Sequence, residues 1–431
     1  LQTENKAFSE YTQLKGGAQV NLEGETYNLS SIVPKEQVAD REARKRASSA
    51  KWNWMAEHQR QIEGIYDELV KLRHKMALML GYDNFTELGY ARMNRTDYGP
   101  EQVNTFREEV KKYIVPIASR LAANQAKRIG VDRLHYYDVN FRFPDGNPTP
   151  GGEMADTVAA ARKLYDNLSE ETGSFFRLLE ERQLMDLEAK DGKATGGYCT
   201  YINDYGAPYI FSNFNRTSHD VDVLTHEFGH AFQVYSSRHQ KPMEYAWPTY
   251  DAAEIHSMSM EFFAYPGVPD FFGDDAQKYF YSHLEGAIRF LPYGCAVDEF
   301  QHLVYANPGW TPAERNAVWK KLEEAYLPHL DYRDHEFLRQ GTYWQSQTHI
   351  FGMPFYYIDY CLAQICAFQF WLKDREDHAK AWADYVKLCA AGGSLSFLKL
   401  VDLAGLETPF EAGIMERIAG VVEERLAELA E

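Results

Sequence analysis

The chain of 431 residues carries 63 acidic against 45 basic side chains, a formal charge of −18, with 45% hydrophobic and 14% aromatic residues. That balance describes a folded globular protein with room for two or three lobes. Its negative field repels phosphate backbones and anionic lipid, so neither nucleic acid nor a membrane is an expected partner.

The opening, LQTENKAFSE, has no charged-then-apolar leader pattern and no initiator Met, so an N-terminal part is expected to be missing. Residues 1–35 read as a mixed segment with strand or turn signals in GGAQVNLEGETYNLS. From Lys35 to Tyr82 apolar residues recur at three- and four-residue steps without proline, which predicts one long helix or two stacked ones. A second helical stretch spans about 100–129, with Pro116 set to kink or split it. FPDGNPTPGG is the strongest loop, and a helix is expected over about 154–184. GGYCTYINDYGAPYIFSNFN, 196–215, alternates aromatic and β-branched residues about NDYGAP and predicts a hairpin. Helices follow at 219–239, 251–265, 273–305, 312–325, 355–391 with a break, and 409–429. Five scattered cysteines, odd in number, predict reduced thiols and a cytoplasmic location. No run of 18 apolar residues offers a membrane span.

VLTHEFGHAF places His226 and His230 one helical turn apart, with Glu227 directly after the first. At about 100° per residue the two imidazoles share a face and can ligate one ion, and the carboxylate between them can serve as general base. The continuation with glycine and a third histidine is absent, because Gln233 and Ser236 occupy those places. Glu254 in DAAEIHSMSMEFF is the candidate third ligand. Glu261 shares its face and is the candidate for orienting a ligating imidazole, with Asp222 as rival. His256 points away and reads as structural. A closed structural site is disfavoured, since no cysteine falls at a ligand spacing.

HEFGHAFQ followed by EIHSMSMEFF resembles the M3 family of zinc oligopeptidases, specifically the bacterial oligoendopeptidase F branch, alongside thimet oligopeptidase and neurolysin. The resemblance runs from about residue 36 to the C-terminus and includes the 196–215 hairpin. It implies a mainly α, multi-helical, zincin-like metallopeptidase, with a small antiparallel β-sheet beside the active-site helix and a substrate channel between helical lobes. A catalytic domain is then expected over 36–431. It comprises a helical lobe at about 36–185, then sheet, zinc site and C-terminal lobe at about 186–431. The resemblance further implies one zinc ion on His226, His230 and Glu254, with Glu227 as base. His349, Tyr356, Tyr357 and Tyr360 in HIFGMPFYYIDY are implied to meet substrate and oxyanion. Tyr357 is the first candidate for the oxyanion donor, with Tyr356 and Tyr360, which share a helical face, as the alternatives; His349, Tyr356 and Tyr360 are candidates for substrate binding.

The expected reaction is hydrolysis of internal bonds in short peptides, the hairpin's edge strand binding substrate backbone. The rival enzymatic reading, a zinc carboxypeptidase or dipeptidase, needs a cationic clamp, for which Arg339 is the candidate. A non-catalytic peptide binder is the other rival, and it has no use for Glu227.

Overall fold

The computed structural model describes residues 1–190, 193 and 196–430. Helices dominate. The long pattern after Lys35 forms two of them, Arg41–Glu57 and Gln59–Met79, broken at His58. The first starts where the Asp40 carboxylate accepts the N–H groups of Glu42 and Ala43. The 100–129 stretch divides at a π-turn, Val110–Ile114, between helices Pro100–Glu109 and Val115–Arg128. Pro116 lacks the donor that would continue the regular ladder, and the widened turn just before it accommodates the loss. The 154–184 region likewise splits, into Met154–Leu168 and Glu170–Glu181, where the Ser169 hydroxyl caps the second helix.

Residues 1–35 carry more order than their composition suggests. Helix Gln2–Gly16 is followed by a two-stranded hairpin, Val20–Leu22 with Glu25–Tyr27, whose turn has positive φ at Glu23 and Gly24. The helix is tied down by buried Arg73, which donates to Glu4 at 2.7 Å, and by the Tyr11 ring stacked on Phe351 at 3.8 Å.

The hairpin at 196–215 forms as strands Tyr198–Ile202 and Ala207–Phe214, reversing through a short helical turn and left-handed Gly206. Their register pairs Tyr198 with Phe211 and Ile202 with Ala207. A third strand, Met185–Glu188, joins on the far side and runs parallel to Ala207–Phe214. Its sequence, MDLE, does alternate apolar and polar residues, but four residues directly after a helix are too short a run to stand out. Ala207–Phe214 is therefore central, and among the described residues Tyr198–Ile202 is paired on one side only, leaving its other edge open.

Helix His219–Ser237 follows the central strand after a turn held by Asp220, whose carboxylate accepts the N–H groups of Asn215 and Arg216. Helix Tyr250–Phe263, buried along nearly its whole length, packs between that helix and helix Tyr357–Glu376. Helix Ala276–Ala306, with Pro292 inside it, crosses beneath. Among the described residues no helix is long and apolar enough to cross a membrane.

Candidate active and metal site

Gly229, between the two histidines, is what lets the two site helices meet. A Cβ there would lie 2.7 Å from Ser257 Cα and 2.8 Å from the His256 carbonyl oxygen. With only hydrogen in that position the backbones approach closely, and Glu254 reaches across to the histidines. Its Oε2 stands 3.1 Å from His226 Nε2 and 3.3 Å from His230 Nε2. Tetrahedral zinc with bonds of about 2.05 Å holds its ligand atoms about 3.3 Å apart. Both distances from Glu254 match that spacing, the three donor atoms lie within 4.8 Å of one another, and the three residues form the sole such cluster of His, Cys, Asp or Glu among the described residues.

Two of the three donors are oriented from behind, whereas His230 Nδ1 is buried with no hydrogen-bond partner among the described residues. His226 Nδ1 meets Glu261 Oε1 at 2.7 Å, which leaves Nε2 to face Glu254. The other Glu261 oxygen meets His283 Nε2 at 2.7 Å, and His283 Nδ1 meets the Tyr265 hydroxyl at 2.8 Å. Burial would raise the Glu261 carboxyl, but the hydrogen bonds from His226 and His283 outweigh it and hold the group at about 2. Asp222 does not reach His226; it accepts from the Tyr279 hydroxyl at 2.7 Å instead. Ser257 donates to Glu254 Oε2 at 2.8 Å, and the Tyr356 hydroxyl donates to its Oε1. His256 is fully buried on the opposite face, where its carbonyl accepts from Tyr385.

Glu227 differs from these carboxylates. Its Oε2 is buried without a hydrogen-bond partner among the described residues, and burial pushes its pKa up despite the neighbouring histidines. Gly197, at the start of the edge strand, leaves room beside it: a Cβ there would approach Glu227 Oε1 to 3.4 Å and Val223 Cγ1 to 2.8 Å. An unpartnered buried carboxylate beside an imidazole pair can take a proton from a small polar molecule held between them.

Two cavities, of about 740 and 940 Å³, meet here, both lined by Gly197, His226 and Glu227. The larger runs along the edge strand past Tyr198, Cys199 and Thr200 and is walled by Tyr250, Tyr356 and Tyr360. The smaller continues past Asp222, Glu261 and Tyr279. The shared lining joins the two into one cleft, with His226 and Glu227 where they meet and His230 on the larger side.

Tyr356 and Tyr360 line that cleft, with ring centroids 4.9 Å apart. Tyr357 opens its helix with its ring among Phe290, Tyr293 and His349 and lines neither cavity. His349 stands behind the cleft tyrosines, its Nε2 3.4 Å from the Tyr360 hydroxyl. Arg339 is exposed on the short helix Glu336–Arg339 and borders neither cavity. Sequence reasoning missed His283 and Gly197. His283 carries no local signal, whereas the glycine pair ahead of the strand is the mark of close backbone approach.

A model of Peptidase family M3 matches residues 36–145 and 167–420. Oligopeptidase PepF of Bacillus subtilis (strain 168) is 25% identical over 404 residues, covering 91% of this chain and 58% of PepF. Group B oligopeptidase PepB of Streptococcus agalactiae serotype III (strain NEM316) is 23% identical, covering 95% of this chain and 67% of PepB. Among solved structures, PZ peptidase A with inhibitor 2 superposes with a TM-score of 0.98 at 54% identity. That match covers 99% of this chain and 76% of the other. The chain thus spans under two thirds of the length of PepF.

Proposed function

The chain belongs to peptidase family M3, and from that premise we propose that it is a zinc-dependent oligoendopeptidase, cleaving internal bonds of short peptides. The observation that carries the reading is the convergence of His226, His230 and Glu254 beside a buried, unpartnered Glu227. The Nε2 atoms of both histidines and an oxygen of Glu254 would hold one ion. Bound zinc supplies Lewis acidity, which lowers the pKa of water and polarises a carbonyl. Glu227 takes the proton of the attacking water and passes it to the leaving amine; burial raises its pKa, which makes it the stronger base. The Tyr360 hydroxyl, facing the cleft, donates to the developing oxyanion, with Tyr356 holding Glu254 in place.

The edge strand Tyr198–Ile202 binds the substrate backbone by adding it as a further strand, which makes few demands on side-chain identity. A cleft enclosed between helices favours short, extended peptides over folded proteins. Five free cysteines, four of them buried, support a reducing compartment, the cytoplasm.

Metal analysis together with mass-spectrometric cleavage mapping on peptides of increasing length tests this. Cuts at internal bonds and one zinc per chain are expected, with Glu227→Gln keeping the zinc and losing turnover at least a thousandfold, roughly the scale of losing a catalytic acid–base group. Cleavage confined to C-terminal residues, or full turnover by Glu227→Gln, would overturn it.

A further inference from the structure

A hydrogen-bonded relay lies behind the cleft. The Tyr293 hydroxyl donates to Gln347 Oε1 at 2.9 Å, Gln347 Nε2 lies 2.7 Å from His349 Nδ1, and His349 Nε2 lies 3.4 Å from the Tyr360 hydroxyl. Helix Gln2–Gly16 braces the segment from outside: Tyr11 donates to the Gln345 carbonyl, and Lys15 donates to the Ser346 carbonyl and the Thr348 hydroxyl.

One set of hydrogens gives every group of the relay a protein partner. The only hydrogen bond of Tyr293 among the described residues is to Gln347, and the rings of Trp319, Tyr343 and Tyr357 otherwise surround it. If the amide were turned over, the phenol hydrogen would have no acceptor. The amide oxygen therefore faces Tyr293 and the amide nitrogen faces His349. An amide N–H pointing at Nδ1 requires a lone pair there. Burial keeps the ring neutral, with its pKa pushed down to about 4. A neutral ring with a lone pair on Nδ1 carries its hydrogen on Nε2.

That choice matters for Tyr360. With hydrogen on Nε2, His349 donates to the tyrosine oxygen, and the hydroxyl proton is left for the cleft side, where the Tyr356 hydroxyl is its neighbour. With hydrogen on Nδ1, the lone pair on Nε2 would instead draw in the Tyr360 proton.

We propose that Gln347, oriented by Tyr293, is a positioning residue that locks His349 in its Nε2–H tautomer and so reserves the Tyr360 hydroxyl proton for a substrate oxygen. The role of that proton in turnover rests on the peptidase reading; the tautomer lock does not.

The test is nitrogen-15 NMR of the histidine rings in the zinc-loaded full chain, with His349 assigned by its loss in His349→Ala. The wild type is expected to show the Nε2–H form. Gln347→Glu replaces the amide donor with an acceptor, so the ring hydrogen should move to Nδ1, and kcat should fall about a hundredfold with KM nearly unchanged, the scale of losing one oxyanion donor. Tyr293→Phe frees the amide to turn, and a mixture of tautomers with a smaller fall in kcat is expected even if the glutamate variant does not fold. An Nδ1–H signal in the wild type overturns the proposal, as does an unchanged tautomer in both variants, or a loss carried by KM alone. A wild type that cleaves no peptide would instead sink the proposed function, while the ring spectrum still decides the lock.

Discussion

Gly229 sets the distance between the histidine pair and the third ligand, and enlarging it by one methyl should separate metal binding from folding. In Gly229→Ala the new Cβ would meet Ser257 Cα at 2.7 Å, the His256 carbonyl oxygen at 2.8 Å and Met260 Cβ at 2.9 Å. Two of these are backbone atoms and cannot rotate away. Restoring ordinary contact at 3.4 Å means parting the helices by the difference, 3.4 − 2.7 = 0.7 Å. Zinc bonds tolerate deviations of only about 0.2 Å. Overpacking of this kind costs about 1–3 kcal/mol. Alanine recovers about 1 kcal/mol of that through its higher helix propensity. The net loss is about 0–2 kcal/mol, within what a domain survives. The variant should therefore fold, yet bind zinc about ten- to a hundredfold more weakly, the scale seen when groups supporting a metal ligand are disturbed. Competition with a chromophoric chelator measures the affinity, and a thermal melt monitors the fold. Gly64→Ala, where nothing lies within 4 Å of the added carbon, is the control. If Gly229→Ala holds zinc as tightly as the wild type, the close helix approach does not set the ligand distance and the reasoning fails.

Glu261→Gln should also weaken zinc about ten- to a hundredfold, because His226 loses the anionic partner of its Nδ1–H; unchanged chelator competition would remove Glu261 from that role. Tyr360→Phe should lower kcat about a hundredfold at nearly constant KM, and Tyr357→Phe should do much less. The reverse order in steady-state kinetics would return the oxyanion to Tyr357. Away from the cleft, burial lifts the Glu323 carboxyl from 4.5 to about 7 despite the hydrogen bond from Tyr332. Since the folded value lies above the unfolded one, the stabilisation is fully present below pH 4.5 and is lost as pH rises through 7. A difference of 7 − 4.5 = 2.5 corresponds to on the order of 3 kcal/mol. Glu323→Gln should flatten the fall in urea midpoint across that window, and an unaltered slope would refute the assignment.

The parts of this molecule that can be read from its sequence are those whose information is local. Two histidines four residues apart declare their shared face, and Glu254, Ser257 and Glu261 declare theirs by the same period. Bringing the two faces together depends on Gly229, a residue whose meaning lies in what it lacks. The relay from Tyr293 to Gln347 spans 54 positions, and the bond from Glu261 to His283 spans 22. No periodicity marks either one. The tyrosine cluster was ambiguous for a sharper reason. Phe355 adopts φ of 68°, a left-handed conformation that a phenylalanine disfavours, and the helix starts only at Tyr357. Long-range contacts hold it there. Its N–H donates to Gln301 Oε1 at 2.6 Å, and its carbonyl accepts from buried Arg95. Its ring fills the space beside Gly89, where a Cβ would come within 2.5 Å. Tyr356 is already helical in its backbone, so helical phase does pair it with Tyr360, and both line the cleft. What that phase cannot say is which way the pair faces; the contacts that fix the backbone at Phe355 set it.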